Sequence, residues 1–251
     1  MVPEDSIAPL DGVAVVIPCY NAGGRLRPVV EQVLTHTPQV IVVDDGSTDG
    51  SAPSLAGLPV RMVSFAANRG KGHALLAGFQ AALEDPALKA VAVIDADGQH
   101  DPDELPGLCA ALWQEDAGLV VGSRRFDGVE VPWRSRFGNR VSAALLRRIL
   151  GAHLSDSQCG YRVLSRAFTE KVVQTIQGGR YETETAIIIL AVRAGYRVVS
   201  APIATRYESG NPSSHFRKLR DSWRVMRVLF GATSGRARRG ARNIGTGNRL
   251  E

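Results

Sequence analysis

Cysteine is scarce in this sequence, which has only Cys19, Cys109 and Cys159 among its 251 residues. Their number is odd, they lie far apart, and none has a partner at the spacing of a zinc ligand pair. A disulfide framework and a cysteine-based metal site are therefore not expected. We predict three reduced thiols.

Long hydrophobic runs are also missing from the sequence. No stretch reaches the roughly 18 apolar residues that a helix needs to cross a bilayer. Residues 1–10 lack the basic start and the apolar centre of a signal peptide. We therefore expect a soluble, cytoplasmic protein that is peripheral to the inner face of the membrane.

Basic residues are scarce in the first part of the chain and acidic residues in the second. Up to Ser123 there are 6 Lys and Arg against 16 Asp and Glu, and from Arg124 onward there are 24 against 9. An acidic half suits a cation, whereas a basic half suits phosphates, a membrane surface or nucleic acid. Nucleic-acid recognition motifs and interleaved basic and aromatic stretches are missing, so no nucleic-acid partner is expected.

Short β-branched runs alternate with helical patterns as far as residue 121. This alternation is typical of βαβ units, and it predicts an α/β fold with a mostly parallel sheet and helices on both faces. The predicted strands are 13–17, 40–43, 60–64, 91–94 and 119–121, and the predicted helices are 25–35, 50–57, 71–84 and 102–115.

After Arg124 the pattern becomes mostly helical. We predict helices at 134–150, 165–176, 182–194 and 215–230, a loop at 151–160, and a β pair near 197–207. The predicted segments are an N-terminal extension (1–11), one α/β domain (12–212), an amphipathic basic helix (213–232) and a disordered tail (233–251).

Polar residues follow the first two predicted strands. Pro18 is expected to end the first strand and is followed by Tyr20 and Asn21, and the second strand is followed by Asp44 and Asp45. Ligands in parallel α/β sheets bind outside the carboxyl ends of the strands, so these side chains are candidates for a binding site. Taken alone, the turn after Asp45 is more often a structural helix cap.

The fourth strand is followed by the sequence DADGQHDP, residues 95–102. Asp95 and Asp97 are two apart on an extended chain, so they point the same way and can approach one hard cation, with the Gln99 oxygen next on that face. Such ligands favour Mg²⁺ or Mn²⁺ over Zn²⁺. The alternative is a surface turn, because Asp101 and Pro102 also make a good helix start.

Together these motifs resemble one enzyme family. The segments VVIPCYN, VVDDGSTDGS, NRGKGHALLAGF and VIDADGQHDPDEL occur in the order and spacing of family-2 glycosyltransferases of the GT-A fold, which is Rossmann-like. Within that family, GSRRF, DSQCGYRVLSR and the helix at 181–186 resemble the polyprenyl-phosphate sugar transferases, the dolichyl-phosphate mannose or glucose synthase type. The resemblance covers roughly residues 12–217.

For the donor, the resemblance implies a nucleotide-diphosphate sugar that lies across the strand tips. Pro18 and Tyr20 would flank the base, Asp45 would hydrogen-bond its edge, and Asp44 would brace the turn. The residues implied for the nucleotide sugar are Pro18, Tyr20, Asn21, Asp44, Asp45, Lys71, Asp95 and Ala96.

The resemblance also assigns the metal. Asp95, Asp97 and Gln99 would hold Mg²⁺ or Mn²⁺ against the diphosphate, which makes Asp97 a catalytic residue. Lys71 precedes a helix and either assists a phosphate or is a solvated surface lysine. Many family members have Glu where this chain has Ala22, so the donor base stays open between UDP- and GDP-linked sugars.

For the acceptor, the basic half of the chain supplies candidates. The residues predicted to contact the phosphate of a polyprenyl phosphate are Arg124, Arg136, Arg206 and Arg217. A phosphate is already ionised near pH 7 and needs no general base. A hydroxyl acceptor would need one, and Glu182 or Glu184 is available, although we prefer a role for Glu184 in binding a sugar hydroxyl.

The leading hypothesis is an inverting, metal-dependent hexosyltransferase that acts on a polyprenyl phosphate in cell-envelope synthesis. One alternative keeps the donor chemistry but uses a saccharide or lipid-glycan hydroxyl as acceptor. Another is a non-catalytic nucleotide-sugar-binding protein, against which the intact Asp95, Asp97 and Gln99 argue.

The last predicted helix, HFRKLRDSWRVMRVLF, is amphipathic and basic. Its apolar stripe is formed by Phe216, Leu219, Trp223, Met226 and Phe230. The stripe packs on the core of the chain, on a second subunit in a homodimer, or on an anionic membrane surface, and the sequence leaves these alternatives open.

Overall fold

The structure is a computed structural model that describes residues 10–124, 159–180 and 182–204. The strands in these ranges are β1 Val13–Cys19, β2 Val40–Asp44, β3 Arg61–Ser64, β4 Ala90–Val93, β5 Leu119–Arg124, β6 Arg162–Ser165 and β7 Val198–Ile203. The α-helices are α1 Leu26–Leu34, α2 Lys71–Leu83, α3 Leu105–Gln114, α4 Arg166–Thr175 and α5 Glu182–Arg193, and short 3₁₀ turns occupy Gly23–Arg25, Pro53–Leu55 and Pro102–Glu104.

The seven strands form one sheet in the order β3-β2-β1-β4-β6-β5-β7. Strand β6 is antiparallel to its neighbours β4 and β5, and the other pairs are parallel. The predicted mostly parallel α/β fold is therefore confirmed. Because β6 runs the opposite way, its amino end lies at the edge of the sheet where the other strands have their carboxyl ends.

Burial explains why the central strands form where they do. All residues of β2 and β4 are buried, and so are all residues of β1 except Pro18. Near-continuous apolar runs of this kind are typical of parallel strands covered on both faces. Helices α2, α4 and α5 pack against one another on one side of the sheet, and α1 and α3 meet at the turn Pro102–Glu104 on the other.

Four details differ from the sequence-based expectations. The predicted helix at 50–57 is only the 3₁₀ turn Pro53–Leu55, and strand β6 was not predicted. The predicted β pair near 197–207 contains one strand, β7, which pairs in parallel with β5. Strand β1 does not stop at Pro18. Its pairing with β4 ends at Val16, so the missing N–H of Pro18 interrupts no ladder on that side.

Several predicted segments lie outside the described residues. They include the helices at 134–150 and 215–230, most of the extension 1–11, and the tail 233–251. None of the helices in the described ranges is long and apolar enough to cross a membrane. Cys19, Cys109 and Cys159 are all buried free thiols, as predicted.

Candidate active site

A buried lysine joins two carboxylates at the carboxyl edge of the sheet. Asp95 follows β4, and its Oδ1 lies 2.7 Å from the Lys71 Nζ at the start of α2. The same ammonium lies 3.0 Å from Oε1 of Glu184, in the first turn of α5. The side chain of Lys71 is only 16% exposed, so the alternative of a solvated surface lysine is wrong.

The charges of this trio stabilise one another. Burial lowers the pKa of Lys71, but the adjacent Asp95 and Glu184 outweigh it and hold that pKa above its ordinary value. Burial likewise raises the pKa of Asp95, but Lys71, with smaller contributions from His100 and Arg162, outweighs it and holds the pKa below its usual range. Lys71 and Asp95 are therefore both charged at neutral pH.

The position of Lys71 depends on Asp45. The buried Asp45 carboxylate accepts hydrogen bonds from Asn68 Nδ2 (2.9 Å), the Arg69 N–H (2.7 Å) and the Gly70 N–H (2.8 Å). These bonds fix the loop that leads into α2. Asp45 thus links the end of β2 to the start of the lysine helix, and its contact with a nucleotide base stays a prediction.

The position of Glu184 depends on a close approach of two helix starts. A Cβ atom added to Gly72, in the first turn of α2, would lie 2.0 Å from Oγ1 of Thr183 and 2.8 Å from the carbonyl oxygen of Gly179. Only glycine allows α5 to come this near to α2. The contact brings Glu184 within reach of Lys71, although the two residues are 113 positions apart.

Asp97 lies beside this trio and has a different electrostatic environment. Burial raises its pKa, and the charge of Asp95 raises it further. Its Oδ1 accepts a hydrogen bond of 3.0 Å from the Gln99 N–H. A divalent cation close to Asp97 would relieve the repulsion between the carboxylates of Asp95 and Asp97. Asp97 is therefore a candidate metal ligand.

The donor atoms at these strand tips fit a hard cation. Asp97 and Gln99 offer oxygen atoms, whereas Oδ1 of Asp95 is already paired with Lys71. In the described ranges, no three His, Cys, Asp or Glu side chains gather into a complete metal site. An ion held there would therefore keep water or phosphate ligands, as Mg²⁺ does when it binds through one or two carboxylates.

The loops after β1 and β2 form the other side of the site. Oδ1 of Asn21 accepts from the Thr48 N–H (2.8 Å), and the Asn21 N–H donates to Oγ of Ser47 (3.0 Å). Oδ1 of Asp44 accepts from the Ser47 N–H (2.9 Å). These bonds tie the two loops together, and Tyr20 is 37% exposed at the strand tips.

The remaining predicted residues are less closely placed. Ala96 is buried between Asp95 and Asp97. Glu182 begins α5, and its carboxylate lies against Gly179. Arg124 ends β5, and Arg136, Arg206 and Arg217 lie outside the described residues.

Sequence reasoning missed Arg162, which is 2% exposed at the start of β6. Its Nε donates to the carbonyl oxygen of Cys159 (2.9 Å), and its Nη1 donates to that of Glu184 (2.6 Å). One signal was available in the sequence. A single arginine within the apolar run YRVL must find polar partners if that run is buried.

Comparisons with known proteins identify the family of this chain. The sequence model described as "Glycosyl transferase family 2" matches residues 14–173. A polyprenol monophosphomannose synthase of Mycolicibacterium smegmatis is 32% identical over 212 residues, which cover 79% of this chain and 78% of that protein. An undecaprenyl-phosphate mannosyltransferase of Micrococcus luteus is 32% identical over 208 residues, covering 76% of this chain and 82% of that protein.

Solved structures show the same fold. A crystal structure of glucosyl-3-phosphoglycerate synthase from Mycobacterium tuberculosis, in complex with Mg²⁺ and uridine diphosphate, superimposes with a TM-score of 0.68. It covers 89% of this chain and 80% of that one, at 22% identity. The likeness establishes the GT-A architecture that the sequence motifs predicted.

Proposed function

The chain belongs to glycosyl transferase family 2, and from that premise we propose that it transfers a hexose from a nucleotide-diphosphate sugar to a polyprenyl phosphate. The observation that carries the donor half of this proposal is the charged trio Lys71, Asp95 and Glu184, with Asp97 beside it, at the carboxyl edge of a parallel sheet. This is the edge where such sheets bind their ligands.

Divalent-metal dependence is part of the proposal. Asp97, with the side-chain oxygen of Gln99 and the carboxylate of Asp95, would hold Mg²⁺ or Mn²⁺ against the diphosphate. The ion would neutralise charge on the leaving nucleoside diphosphate. Its support is the oxygen donor set and the structure with Mg²⁺ and uridine diphosphate in a protein of the same fold.

The side chains of this site divide the remaining work. Lys71 adds positive charge at the end of β4, near the place assigned to the diphosphate. Glu184 already has an ammonium partner at 3.0 Å, so we assign it to a sugar hydroxyl and not to proton abstraction. A phosphate oxygen of the acceptor attacks the anomeric carbon of the sugar. The bond between that carbon and the diphosphate breaks at the same time, the nucleoside diphosphate leaves, and this single displacement inverts the configuration.

The acceptor assignment rests on the relatives and on the basic half of the chain. Two relatives at 32% identity are named for polyprenol or undecaprenyl phosphate. An anionic acceptor needs cationic partners, and the candidates are Arg124, Arg136, Arg206 and Arg217.

Nucleoside diphosphate release tests this proposal. Purified protein with Mg²⁺ and UDP-glucose, UDP-GlcNAc or GDP-mannose should release UDP or GDP faster when undecaprenyl phosphate is added. Undecaprenol, which has a hydroxyl in place of the phosphate, is the matched control and should give no stimulation. Equal stimulation by undecaprenol would contradict a phosphate acceptor and favour the alternative in which the acceptor is a hydroxyl group.

The nucleotide side of the site gives a separate prediction. Asp45→Ala removes the acceptor of three hydrogen bonds that fix the loop before Lys71. Calorimetry should show weaker binding of the nucleoside diphosphate, by about 1–3 kcal/mol. Glu184→Gln should instead lower turnover more than nucleotide affinity. Unchanged nucleotide affinity in the Asp45 variant would rule out its assignment to the donor site.

We also propose that the basic helix at 213–232 holds the protein on the inner face of the membrane. This segment lies outside the described residues, and its support is the sequence pattern of an apolar stripe beside basic residues. Each basic residue near an anionic surface contributes on the order of 1 kcal/mol, so a handful would localise a protein without a membrane span.

Liposome sedimentation checks this membrane proposal. Replacing Arg217, Arg220, Arg224 and Arg227 by Gln should reduce sedimentation with anionic liposomes at low salt, because the electrostatic attraction is lost. The circular dichroism melt should stay nearly unchanged. If the wild-type protein does not sediment with these liposomes, the membrane proposal is wrong, and the apolar stripe packs on the core of the chain or in a homodimer.

A further inference from the structure

Arg162 lies between β4, the strand that precedes Asp95, and α5, the helix that carries Glu184. It is the first residue of β6, and in the sheet it pairs with Val93 of β4 on one side and with Val121 of β5 on the other. Since β6 is antiparallel to both, this first residue lies at the edge where β4 delivers Asp95. The guanidinium is therefore buried directly behind the charged trio.

Hydrogen bonds from Arg162 hold two separate segments. Nη1 donates to the carbonyl oxygen of Glu184 at 2.6 Å, and Nε donates to the carbonyl oxygen of Cys159 at 2.9 Å. A planar guanidinium can hold both carbonyls at once because its donors form a rigid fork. An ammonium has no such fork.

Each of these carbonyls lies next to a group of the active site. The backbone of Glu184 carries the carboxylate that pairs with Lys71. Gly160, next to Cys159, packs so closely on Asp95 that a Cβ atom there would lie 2.3 Å from Oδ2 of the carboxylate. Holding both carbonyls therefore fixes Asp95 and Glu184 relative to each other.

We propose that Arg162 is a positioning residue for sugar transfer, which sets the distance between Asp95 and Glu184 through the backbone of Glu184 and Cys159. This inference rests on the proposed function and adds a residue to it. Arg162 acts through backbone carbonyls, and its charge also favours the ionised form of Asp95. It acts by keeping the two carboxylates on the Lys71 ammonium in the arrangement that receives the sugar.

Binding of the nucleotide base should be insensitive to substitution of Arg162. The residues assigned to the base follow β1 and β2, whereas Arg162 belongs to β6, on the other side of β4 in the sheet. A change at Arg162 should thus affect the sugar and the reaction but not the base pocket. This separation distinguishes positioning from general loss of structure.

The test uses the full-length chain with Arg162→Lys and Arg162→Met. Arg166→Lys is the matched control, because Arg166 also donates to backbone carbonyls, those of Asp85, Pro86 and Leu88. Those carbonyls precede β4, at the opposite end of the sheet. The control therefore changes an arginine that also holds backbone carbonyls, although its side chain is 33% exposed and also pairs with Glu170, without approaching the trio.

Two quantities are measured for each variant in the presence of Mg²⁺. Calorimetry gives the affinity for UMP and GMP, for UDP and GDP, and for UDP-glucose, UDP-GlcNAc and GDP-mannose. The first pair reports the base pocket, and the step from nucleoside diphosphate to nucleotide sugar gives the gain in affinity contributed by the sugar without turnover. Steady-state assays with undecaprenyl phosphate give kcat and KM for the donor, normalised to folded protein.

We expect affinity for UMP and GMP, which lack the diphosphate, to stay within about twofold of wild type in all variants, because the base pocket and Arg162 are independent sites. The sugar-dependent gain should be reduced in both Arg162 variants, and kcat should fall by up to about 10², as for misplacement of a reacting group by about 1 Å. Arg162→Lys should retain more activity than Arg162→Met. Arg166→Lys should keep wild-type kcat even if its melting temperature falls.

Wild-type kcat and sugar gain in the Arg162 variants, or equal losses in the Arg166 control, would overturn the positioning role while leaving the proposed function intact. A wild-type protein that binds none of the nucleotides and transfers no sugar would overturn both. If Arg162→Met does not fold, the comparison of Arg162→Lys with Arg166→Lys decides the question.

Discussion

Asp97→Asn should reduce sugar transfer by at least about 10², the loss expected when one electrostatic element of a transition state is removed. The amide keeps the shape of the side chain and still accepts from the Gln99 N–H, but it carries no charge for a divalent ion. EDTA should abolish the wild-type activity in the same assay, and added Mg²⁺ or Mn²⁺ should restore it.

The stability of this variant provides an internal check. Because burial and the charge of Asp95 raise the pKa of Asp97, its ionised form lowers the stability of the metal-free protein above that pKa. Removing the charge should leave the thermal midpoint at pH 7 unchanged or higher. Asp11→Asn, at an exposed position before β1, is the control and should change neither the rate of sugar transfer nor the thermal midpoint. Turnover that survives both Asp97→Asn and EDTA would contradict metal dependence.

Lys71→Met should lower the free energy of unfolding by about 3 kcal/mol or more, as expected when one partner of a buried ion pair is removed. The substitution leaves Asp95 and Glu184, whose side chains are 26% and 11% exposed, without their shared cation. Sugar transfer should fall as well, because the trio no longer holds its geometry. Urea unfolding and the transfer assay measure the two effects.

The pH dependence of this loss follows from the two shifted pKa values. The raised pKa of Lys71 adds stability that is fully present below about pH 10.4, its unfolded value. The lowered pKa of Asp95 adds stability that is fully present above about pH 3.9. The wild-type contribution is therefore constant between pH 5 and 8.

In Lys71→Met the dependence should be different. Buried carboxylates without a cation have raised pKa values, so their ionisation lowers stability as pH rises, and the deficit of the variant should be larger at pH 8 than at pH 5. Lys89→Met, which removes an exposed lysine, should show no such trend. A deficit that shrinks with rising pH would contradict the ion-pair account.

The sequence predicted the parts of the fold in which buried strands appear as apolar runs. Strands β1, β2, β4 and β5 are apolar runs buried within the sheet, and the sequence located each of them to within a few residues. The helix predicted at 50–57 failed because Pro53 interrupts it, and the hydroxyl of Ser51 is bonded to the carboxylate of Asp49. Strand β6 has four residues, and its pairing partners are distant in sequence, so no local pattern revealed it.

The site was predictable residue by residue but not as an assembly. Motifs identified Asp95, Lys71 and Glu184 separately, because each follows a strand or begins a helix. That they form one ion-pair trio depends on the contact between Gly72 and Gly179, and sequence spacing does not reveal a contact across more than a hundred residues. The buried guanidinium of Arg162 was missed for the same reason.

Mass spectrometry of the lipid product is the most direct test of sugar transfer to a polyprenyl phosphate. Purified protein is incubated with Mg²⁺, undecaprenyl phosphate and, in separate reactions, UDP-glucose, UDP-GlcNAc and GDP-mannose. If the chain transfers a hexose to polyprenyl phosphate, at least one donor gives a product whose mass is that of undecaprenyl phosphate plus one sugar residue. This product is absent with EDTA and with Asp97→Asn. Transfer only to undecaprenol or to a saccharide hydroxyl, or no glycosylated product from any donor, would contradict transfer to a polyprenyl phosphate.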